Sequence, residues 1–460
     1  MDKKFRDDMK KMMKHRFQDS PEKRVLNSYD AMNRMVLPDA MAEPLTEEEI
    51  VSIIMLCKKF NVPIVPRGAG CGFSGGALAV TGGLVLNTSG MNNITIDRDN
   101  LVAEVGPGAV TIDIHRAAEA MNLFYPPDPA SMEVSTIGGN IAENAGGPRA
   151  VKYGVTRDYV LALRVALMDG SITTFGKPLR KDVAGYNLTS LFVGSEGTLG
   201  IITRAWLKLL PKPEATLSSV LSFDTALSAS RAISSIVASG LNPSRLEIMD
   251  SFCIQSLKEA GHPIEGSPGA ILMVEVDGPA AALPDQLDCI REVASLHNLL
   301  TFHRAQNKDE NESIWELRKS LSPIINTFGD TKMNEDVVVP RSRIPDLFSF
   351  VESLRLETGL TIVCFGHAGD GNIHVNVMFN ADTPGIDEKV ETTLHRLFAR
   401  VVEMGGSISG EHGIGIAKQR FMRHQFSEAQ LTLMRNIKEL FDPMNLLNPG
   451  KILPEPEEKE

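Results

Sequence analysis

Glycine is concentrated in three short segments of the first 200 residues, and these segments limit the folds open to the chain. They are Pro66–Gly76 (PRGAGCGFSGG), Thr136–Gly147 (TIGGNIAENAGG) and Gly194–Gly200 (GSEGTLG). Glycine permits positive φ and close approach of backbone to a ligand, but it loses more conformational entropy on folding than any other residue. Three such loops in one domain are therefore unfavourable unless they serve a ligand. Successive exposed N–H groups can hold phosphate, and a large diphosphate cofactor would need several such contacts.

The first segment follows a predicted strand, Val62–Val65, and contains Gly70-x-Gly72-x-x-Gly75, the spacing of the dinucleotide fingerprint. A Rossmann turn must open into a helix. Here Gly82, Gly83 and a second predicted strand, Leu84–Leu86, follow instead. We therefore reject a Rossmann nicotinamide site and keep the phosphate-binding interpretation. For this loop taken alone, a purely structural role fits equally well.

Hydrophobic periodicity predicts a mixed α and β chain. In the first half the pattern predicts a helix from the capping box Thr46–Glu49 to Phe60, a helix over Thr111–Met121, a hairpin of Leu161–Met168 and Ile172–Phe175 closed by Asp169-Gly170 in a type I′ turn, and a strand-like stretch over Thr198–Leu210. After Pro211 and Pro213, strands and helices alternate over Leu217–Phe223, Ala226–Ala238, Arg245–Met249, Ile271–Val276, Leu287–Leu296 and Glu312–Leu321. We place domains at 1–37 (helical extension), 38–213, 214–435 and 436–460 (a segment returning to the first domain).

Composition excludes several classes of protein. The net charge of −11 argues against nucleic-acid binding, no apolar run is long enough for a membrane span, and the start lacks a secretory signal, so we expect a cytoplasmic protein. The five scattered cysteines offer neither a disulfide framework nor an iron–sulfur motif. The first 17 residues carry seven Lys or Arg against three Asp, a net +4. This predicts either a helix at a partner or the membrane surface, or a solvated amphipathic end.

Together, PRGAGCGFSGGA, PPDPAS (Pro126–Ser131), TIGGNIAENAGG, KYG (Lys152–Gly154) and LFVGSEGTLGIIT resemble the FAD-binding domain of the vanillyl-alcohol oxidase/p-cresol methylhydroxylase superfamily. The similarity is strongest to its branch of glycolate oxidase catalytic subunits and D-lactate dehydrogenases, and it extends from about Pro38 to Leu453. It implies an α+β fold, with a two-subdomain p-cresol-methylhydroxylase-type FAD-binding domain and a C-terminal α+β substrate (cap) domain.

The resemblance also implies which residues hold FAD. Arg67–Gly76 and Thr136–Gly147 would flank the pyrophosphate and the ring, Asp128 and Ser131 would lie along the cofactor, and Glu196 and Ile201 would approach the adenosine end. Some relatives attach FAD through a histidine where this chain has Cys71, so we expect noncovalent FAD; a cysteinyl bond is the alternative to a packed thiol. The expected cofactor-binding residues are Pro66, Arg67, Gly68, Ala69, Gly70, Cys71, Gly72, Ser74, Gly75, Asp128, Ser131, Thr136, Gly138, Gly139, Asn140, Ala142, Asn144, Gly146, Gly147, Tyr153, Gly154, Glu196, Gly197, Gly200, Ile201 and Asn448.

Two segments of the second half carry metal-ligand residues. In FGHAGDGNIHVN (residues 365–376) the Gly369-Asp-Gly371 turn folds His367 back over the next strand, where His374 and Asn376 share a face. In SGEHGIG (residues 409–415) Glu411 precedes His412. His367, His374 and Glu411 make a two-His-one-carboxylate set with positions left open for substrate, and hydrogen-bonded buried histidines are the alternative. Relatives coordinate zinc, manganese or iron at the corresponding residues.

The same resemblance implies oxidation of a small 2-hydroxy acid, D-lactate or glycolate, by hydride transfer to flavin N5. Metal coordination lowers the pKa of bound oxygen, and His412 would take the proton as catalytic base. Arg318, in IWELRKSLS (residues 314–322), would bind the substrate carboxylate as a two-pronged pair. Ser322, Lys332 and Asn376 would line the pocket, although relatives often have threonine in place of Ser322. A surface salt bridge is the alternative for Arg318 and Lys332.

Electrons would pass to quinone or to a separate acceptor protein, an electron-transferring flavoprotein or an iron–sulfur subunit, and a homodimer and a peripheral membrane location are further expectations. Two other functions remain open from the sequence. One is a non-redox flavoenzyme of the alkylglycerone-phosphate synthase type, which would take a phosphate-bearing substrate. The other is a noncatalytic FAD subunit of a larger complex.

Overall fold

The computed structural model describes residues 1–32 and 34–456, which form two compact units. The first unit comprises residues 1–145, 155–212 and 411–460, and the second comprises residues 146–154 and 213–410. Residues 411–435 therefore belong to the first unit, which differs from the predicted boundary at 435. The last four residues of the acidic tail, 457–460, lie outside the described residues.

The chain to Lys212 contains short helices and strands. The helices are α1 (Lys3–Met13), α2 (Pro21–Val25), α3 (Glu47–Phe60), α4 (Thr111–Glu119), α5 (Ile137–Glu143), α6 (Ala150–Tyr153) and α7 (Thr189–Phe192). The strands are β1 (Phe17–Gln18), β2 (Ala40–Ala42), β3 (Ile64–Arg67), β4 (Leu84–Asn87), β5 (Ile94–Asp97), β6 (Val102–Val105), β7 (Leu123–Phe124), β8 (Val160–Ala166), β9 (Ile172–Gly176), β10 (Ile201–Lys208) and β11 (Leu210–Pro211).

The remaining elements follow Lys212. The strands are β12 (Ala215–Phe223), β13 (Arg245–Asp250), β14 (Ala270–Gly278), β15 (Leu299–Arg304), β16 (Thr331–Val338), β17 (Thr361–His367) and β18 (Asn372–Phe379). The helices are α8 (Ala226–Ala238), α9 (Ser251–Glu259), α10 (Leu283–Ser295), α11 (Lys308–Ile324), α12 (Ile344–Thr358), α13 (Ile386–Glu403), α14 (Met422–Gln425) and α15 (Glu428–Phe441).

The first unit holds two main sheets. One has the order β1-β2-β4-β3, with β2, β4 and β3 parallel, and the other is antiparallel with the order β5-β6-β10-β8-β9. Helix α3 begins at the cap predicted from sequence, because the Thr46 side chain accepts the Glu49 N–H, and it ends at Phe60 as predicted. Its buried face, which includes Ile50, Ile53 and Cys57, joins the core of this unit.

The basic N-terminal segment forms α1, and its apolar face is buried. Phe5, Met9 and Met13 are fully inaccessible and belong to the same core as α3, and the rings of Phe5 and Phe60 pack edge to face with centroids 5.8 Å apart. That face is therefore not open to a membrane surface, and the lysines lie on the opposite, exposed side. Across the described residues, no helix has the length and apolar character needed to cross a bilayer.

Two local predictions are wrong. Residues 137–143 of the second glycine-rich segment form α5 rather than a loop, because Ile137, Ile141 and their neighbours bury a helical face. The β8–β9 hairpin does not close through a type I′ turn. Only Gly170 of the Asp169-Gly170 pair has positive φ (90°), and the Gly170 and Leu167 N–H groups bond to Leu167 O and Ser171 O. This is the three-residue hairpin loop, in which a left-handed glycine follows a type I turn.

The second unit is built on one antiparallel seven-stranded sheet with the order β15-β12-β14-β13-β17-β18-β16. Helix α8 spans Ala226–Ala238, as predicted, while α10 and α11 begin four residues earlier than predicted. The core beside α9 and α11 contains Trp315, Leu321, Val363 and Phe365. The polar residues described next lie on strands of this sheet.

Candidate functional site

Two histidines lie side by side on the β17–β18 hairpin of the second unit. Phe365 pairs with His374 across the two strands, so His367, two residues farther along β17, is the diagonal neighbour of His374 on the same face. The two imidazole centroids are 5.2 Å apart, and both residues are buried. The turn at residues 368–371 reverses the chain, as the sequence predicts.

A fully buried carboxylate, that of Glu247 on β13, joins His367 to Arg318. Its Oε1 lies 2.6 Å from His367 Nδ1, and its Oε2 accepts the Arg318 Nε–H at 2.7 Å. Burial raises the pKa of this carboxyl, but the positive charges of His367 and Arg318 outweigh burial and lower it to about 2. The ionised carboxylate accepts from Nδ1, so His367 keeps its Nδ1 proton; when the ring gives up the Nε2 proton, it presents a lone pair there, the arrangement typical of a metal-binding histidine.

Glu411 completes the predicted ligand set. The division between the units falls on the peptide bond between Gly410 and Glu411, and Gly410 is held by β16, because its N–H donates to the backbone oxygen (3.0 Å) and the Oδ2 atom (2.8 Å) of Asp336. One ligand atom from each of His367, His374 and Glu411 lies within 4.8 Å of the others. Two imidazole nitrogens and one carboxylate oxygen at this spacing fit a divalent cation such as zinc, iron or manganese.

Four of the residues predicted to bind substrate lie on three elements of the second unit. Arg318 and Ser322 lie on α11, Lys332 lies on β16, and Asn376 lies on β18. The Arg318 guanidinium lies over the Phe365 ring, 4.7 Å from its centroid, and its Nε bond to Glu247 leaves the paired terminal nitrogens for a carboxylate. Lys332 Nζ donates to Ser322 O and Oγ at 3.1 and 3.3 Å, and burial lowers the pKa of this amine. The exposed salt-bridge alternative fits neither cation.

Asn376 lies on the same face of β18 as His374, and it is fully buried. Its Nδ2 donates to Val363 O and His374 O, while its Oδ1 has no hydrogen-bond partner among the described residues. Asn334 on β16 is the cross-strand partner of Asn376, and its buried Oδ1 likewise has no hydrogen-bond partner among the described residues. Unsatisfied buried polar atoms are unfavourable, so this face has acceptor capacity for a polar ligand.

His412, the predicted base, lies in the first unit. Its ring packs against Phe73 of the first glycine-rich segment, with centroids 4.8 Å apart and an interplanar angle of 31°. The base predicted for the chemistry therefore contacts a segment predicted to hold the flavin. Glu411 and His412 are neighbours in sequence, so the metal-ligand and base positions are separated by one peptide bond.

The glycine-rich segments fit a large anionic cofactor. Arg67 Nη1 and Thr136 Oγ1 are buried, and neither has a hydrogen-bond partner within residues 1–32 and 34–456. At Gly72 and Gly139 the backbone φ lies outside the left-handed region, and an added Cβ would meet nothing closer than 3.9 and 3.7 Å. The protein's own packing does not require glycine at these two positions. Close approach of a ligand explains glycine there, and the unpaired donors suit its phosphates.

Several predicted cofactor residues have side chains that form hydrogen bonds within the protein. Asn140 donates to Thr111 Oγ1, Asn144 accepts the Arg157 N–H, and Asn448 donates to Gly76 O and Glu196 O. Ile201 lies in the core, and a Cβ at Gly200 would overlap Val165. These side-chain bonds do not prevent the backbone of the same residues from contacting a cofactor. Four members of the predicted set belong to the second unit: Gly146, Gly147, Tyr153 and Gly154.

The other predicted cofactor positions lie in the first unit. Arg67 and Ser74 are buried, with Arg67 Nη2 donating to Tyr29 O and Ser74 Oγ donating to Glu143 Oε1. Asp128 is buried, and Ser131 is half-buried. Pro66 lies in β3, which ends at Arg67. The remaining positions are Gly68, Ala69, Gly70, Cys71, Gly72, Gly75, Thr136, Gly138, Gly139, Ala142, Glu196 and Gly197.

Sequence reasoning missed Glu247 and Asp336. Both are acidic residues within β-strands, in RLEIMD and NEDVVV, and both are fully buried. A carboxylate in a buried strand is costly unless it is paired. This violation of the strand pattern was the signal that could have identified them as site residues.

The sequence matches two families of known proteins. Residues 38–176 match the family described as FAD binding domain, and residues 212–452 match the family described as FAD linked oxidases, C-terminal domain. The chain belongs to the FAD-linked oxidases. It is therefore an FAD-dependent oxidoreductase, and the prediction of FAD is confirmed at the level of the family.

Curated relatives of this FAD-linked oxidase match along almost their whole length. Glycolate oxidase subunit GlcD of Bacillus subtilis is 41% identical over 441 residues, covering 95% of this chain and 93% of the relative. D-lactate dehydrogenase of Anaerostipes hadrus is 35% identical over 427 residues, covering 90% and 89%. Of the solved structures, p-cresol methylhydroxylase has a TM-score of 0.82 at 15% identity, covering 98% of this chain and 96% of that chain. The predicted α+β fold of the p-cresol methylhydroxylase type is confirmed.

Proposed function

We propose that this FAD-linked oxidase converts a small D-2-hydroxy acid, D-lactate foremost or glycolate, to the 2-oxo acid, with one divalent metal beside the substrate. The observation that carries the proposal is the group of His367, His374 and Glu411, joined through Glu247 to Arg318. The three ligand residues would hold a cation that binds a hydroxyl oxygen, and Arg318 offers a guanidinium to a carboxylate. The names of the two curated relatives, a glycolate oxidase subunit and a D-lactate dehydrogenase, point to the same substrate class.

Each protein group has a distinct task in this proposal. Arg318 binds the substrate carboxylate through its terminal nitrogens, and Glu247 orients both Arg318 and His367. Lys332, Ser322 and Asn376 line the pocket. His412 takes the hydroxyl proton as general base, an effect worth about 10²–10⁴ in rate. FAD, when bound, supplies the hydride acceptor at N5, and a divalent ion held by His367, His374 and Glu411 lowers the pKa of the substrate hydroxyl.

We propose that FAD is held without a covalent bond. Cys71 is the residue at which relatives with attached flavin have histidine, and burial raises the pKa of its thiol. A raised pKa leaves little thiolate, the form that attacks a flavin. Acid precipitation of the protein should therefore leave the yellow flavin in the supernatant; flavin that stays in the pellet would contradict this.

A separate acceptor takes the electrons from the flavin in this proposal. The relative from Bacillus subtilis is named as a subunit, which supports a protein acceptor, and quinone is the alternative. Rapid reoxidation of the reduced chain by oxygen would identify an oxidase instead. A cytoplasmic location and a homodimer stay predictions, to be checked by fractionation and light scattering.

Anaerobic spectrophotometry tests the substrate. The flavin-loaded protein is titrated with D-lactate, L-lactate, glycolate and D-2-hydroxyglutarate while the flavin absorbance is followed and the 2-oxo acid is assayed. We expect D-lactate or glycolate to bleach the flavin and to give one 2-oxo acid per flavin. Absence of bleaching by every acid would reject hydroxy-acid oxidation and favour the non-redox alternative with a phosphate-bearing substrate.

A variant pair tests the base in the same assay. His412→Ala should slow flavin bleaching about 10²-fold or more, because the proton acceptor is lost. His395→Ala is the control, since His395 is an exposed histidine on α13 paired with Glu391. Undiminished bleaching by His412→Ala would remove His412 from the mechanism.

A further inference from the structure

The segment that carries the proposed base contacts all three glycine-rich segments of the first unit. We call residues 412–417 the His412 segment. The Ile416 and Ala417 N–H groups donate to Ser74 O in the first glycine-rich segment, at 2.8 and 3.2 Å. The Ile414 and Gly415 N–H groups donate to the carboxylate of Glu196 in the third, at 2.8 and 2.7 Å.

Glycine is required on the His412 segment because these contacts leave no space. Gly413 has φ of 85°, and a Cβ there would overlap Oε2 of Glu143, the last residue of α5 in the second glycine-rich segment. Gly415 has φ of 47°, and its Cβ would overlap Ser74 O. The segment is therefore fixed by sterics on one side and by hydrogen bonds on the other.

Glu196 is itself rigidly placed. It is 5% exposed, its φ is 50°, and Asn448 Nδ2 ties its carbonyl oxygen (2.7 Å) to that of Gly76 (3.0 Å). Burial raises the pKa of its carboxyl to about 7, while the Ile414 and Gly415 N–H groups and the charge of Lys451 favour the ionised form. Both carboxylate oxygens face the backbone of the His412 segment.

We propose that Glu196 is a positioning residue for His412. Its carboxylate fixes Ile414 and Gly415, two and three residues after the base, and so holds the His412 ring against Phe73. The base is then placed by the same segments that hold the flavin. The catalytic part of this inference rests on the proposed function, whereas the structural part does not.

The test is Glu196→Gln in the flavin-loaded protein. A glutamine amide offers one acceptor oxygen, and its NH₂ opposes the second N–H, so one of the two hydrogen bonds is lost. Hydrogen–deuterium exchange read by mass spectrometry should be about 10-fold or more faster in peptides covering residues 412–417. The maximal rate of flavin reduction should fall while KM for the hydroxy acid and the flavin content stay unchanged, because neither Arg318 nor the cofactor phosphates are touched.

Asp442→Asn is the matched control. The Asp442 carboxylate likewise accepts two backbone N–H groups, from Leu446 at 3.1 Å and Leu447 at 2.7 Å, within the same unit. This variant should accelerate exchange at residues 443–447 and leave residues 412–417 unchanged. If Glu196→Gln does not fold, Gly413→Ala reaches the same segment by steric displacement and should accelerate the same peptides.

Two results would overturn the inference. Unchanged exchange at residues 412–417 in Glu196→Gln would show that the carboxylate does not hold the segment. Loss of flavin from that variant would assign Glu196 to the cofactor instead. Failure of the proposed function would give a different result. No hydroxy acid would then bleach the flavin of the wild-type protein, whereas hydrogen–deuterium exchange could still be compared between the variants.

Discussion

Glu247 shows how one side chain can organise two different functional groups. Its two oxygens bind His367 and Arg318 at 2.6 and 2.7 Å, so a single buried charge sets the tautomer of a proposed metal ligand and the orientation of a proposed carboxylate binder. Removing one partner from a buried charged network leaves the others uncompensated. A change at Glu247 should therefore affect both the metal and the substrate.

We predict that Glu247→Gln weakens metal affinity about 10–100-fold and lowers kcat/KM for the hydroxy acid by at least as much. Metal titration and steady-state kinetics would measure the two effects. Glu275→Gln is the control, since Glu275 is a buried carboxylate of the same sheet that pairs with Ser244 and Arg245. Equal metal affinity in Glu247→Gln and wild type would contradict the proposed role.

At the scale of residues, the sequence predicted the metal-ligand residues but not the buried carboxylates that hydrogen-bond to the site. His367, His374 and Glu411 were found because histidines and acids beside glycine turns are conspicuous, and the structure brings the three together. Glu247 is 120 residues from His367, and Asp336 is 74 residues from Gly410. Such partners are set by strand register in the folded sheet, which a linear pattern does not contain.

At the scale of elements, α1 is the part of the fold that the sequence left most open. Its net charge allowed a surface helix, yet Phe5, Met9 and Met13 bury one face against α3. Arg16, just after α1, forms a two-pronged ion pair with Glu49 in the first turn of α3, with Arg16 Nη1 at 2.6 Å from Glu49 Oε2. The helix is therefore attached by both packing and charge.

The ion pair predicts a pH dependence of stability. The hydrogen bonds from Arg16 lower the pKa of Glu49 from 4.5 to about 2. A lowered pKa in the folded state means that the stabilisation is complete above pH 4.5 and is lost as the pH falls towards 2. At pH 6, Arg16→Gln should have a free energy of unfolding about 1 kcal/mol lower than wild type, because the pair is partly exposed, and it should unfold at a lower temperature. The difference should shrink towards pH 2.5.

Thermal unfolding followed by circular dichroism at pH 6, 4 and 2.5 would check this. Lys10→Gln is the control, because Lys10 is an exposed partner of Asp19 and should produce little change at any of these pH values. A gap between Arg16→Gln and wild type that stayed constant from pH 6 to 2.5 would show that the pair does not stabilise the fold through charge.

Elements with a strong local signal were predictable, and those that depend on distant packing were not. The predicted bounds of α3 and α8 agree with the structure almost to the residue, because the threonine cap of α3 and the apolar spacing of both helices are local signals. The sequence predicts a loop where α5 forms, because two glycines are poor helix formers. Burial of Ile137 and Ile141 stabilises the helix in the folded unit. The Asp169-Gly170 pair fits two hairpin loops, and the strands on either side select between them.

At the scale of the whole molecule, the residues with proposed chemical roles are divided between the two units. The first unit holds His412 and the glycine-rich segments except Gly146 and Gly147, and the second holds His367, His374 and Arg318 on one sheet and its neighbouring helix. The sequence motifs identified the family, but the predicted boundary at 435 placed His412 in the second domain, whereas it lies in the first unit.

The proposed function depends on a metal ion held by His367, His374 and Glu411, and metal removal tests it most directly. The flavin-loaded protein is treated with chelator, freed of it, and mixed anaerobically with the hydroxy acid identified as substrate in a stopped-flow instrument. We predict that flavin reduction becomes about 10²-fold slower or more and that one equivalent of Zn²⁺, Mn²⁺ or Fe²⁺ per chain restores it. His374→Asn, which keeps its flavin, should not be restored. Full-speed flavin reduction by protein shown to contain no metal would contradict the proposed function.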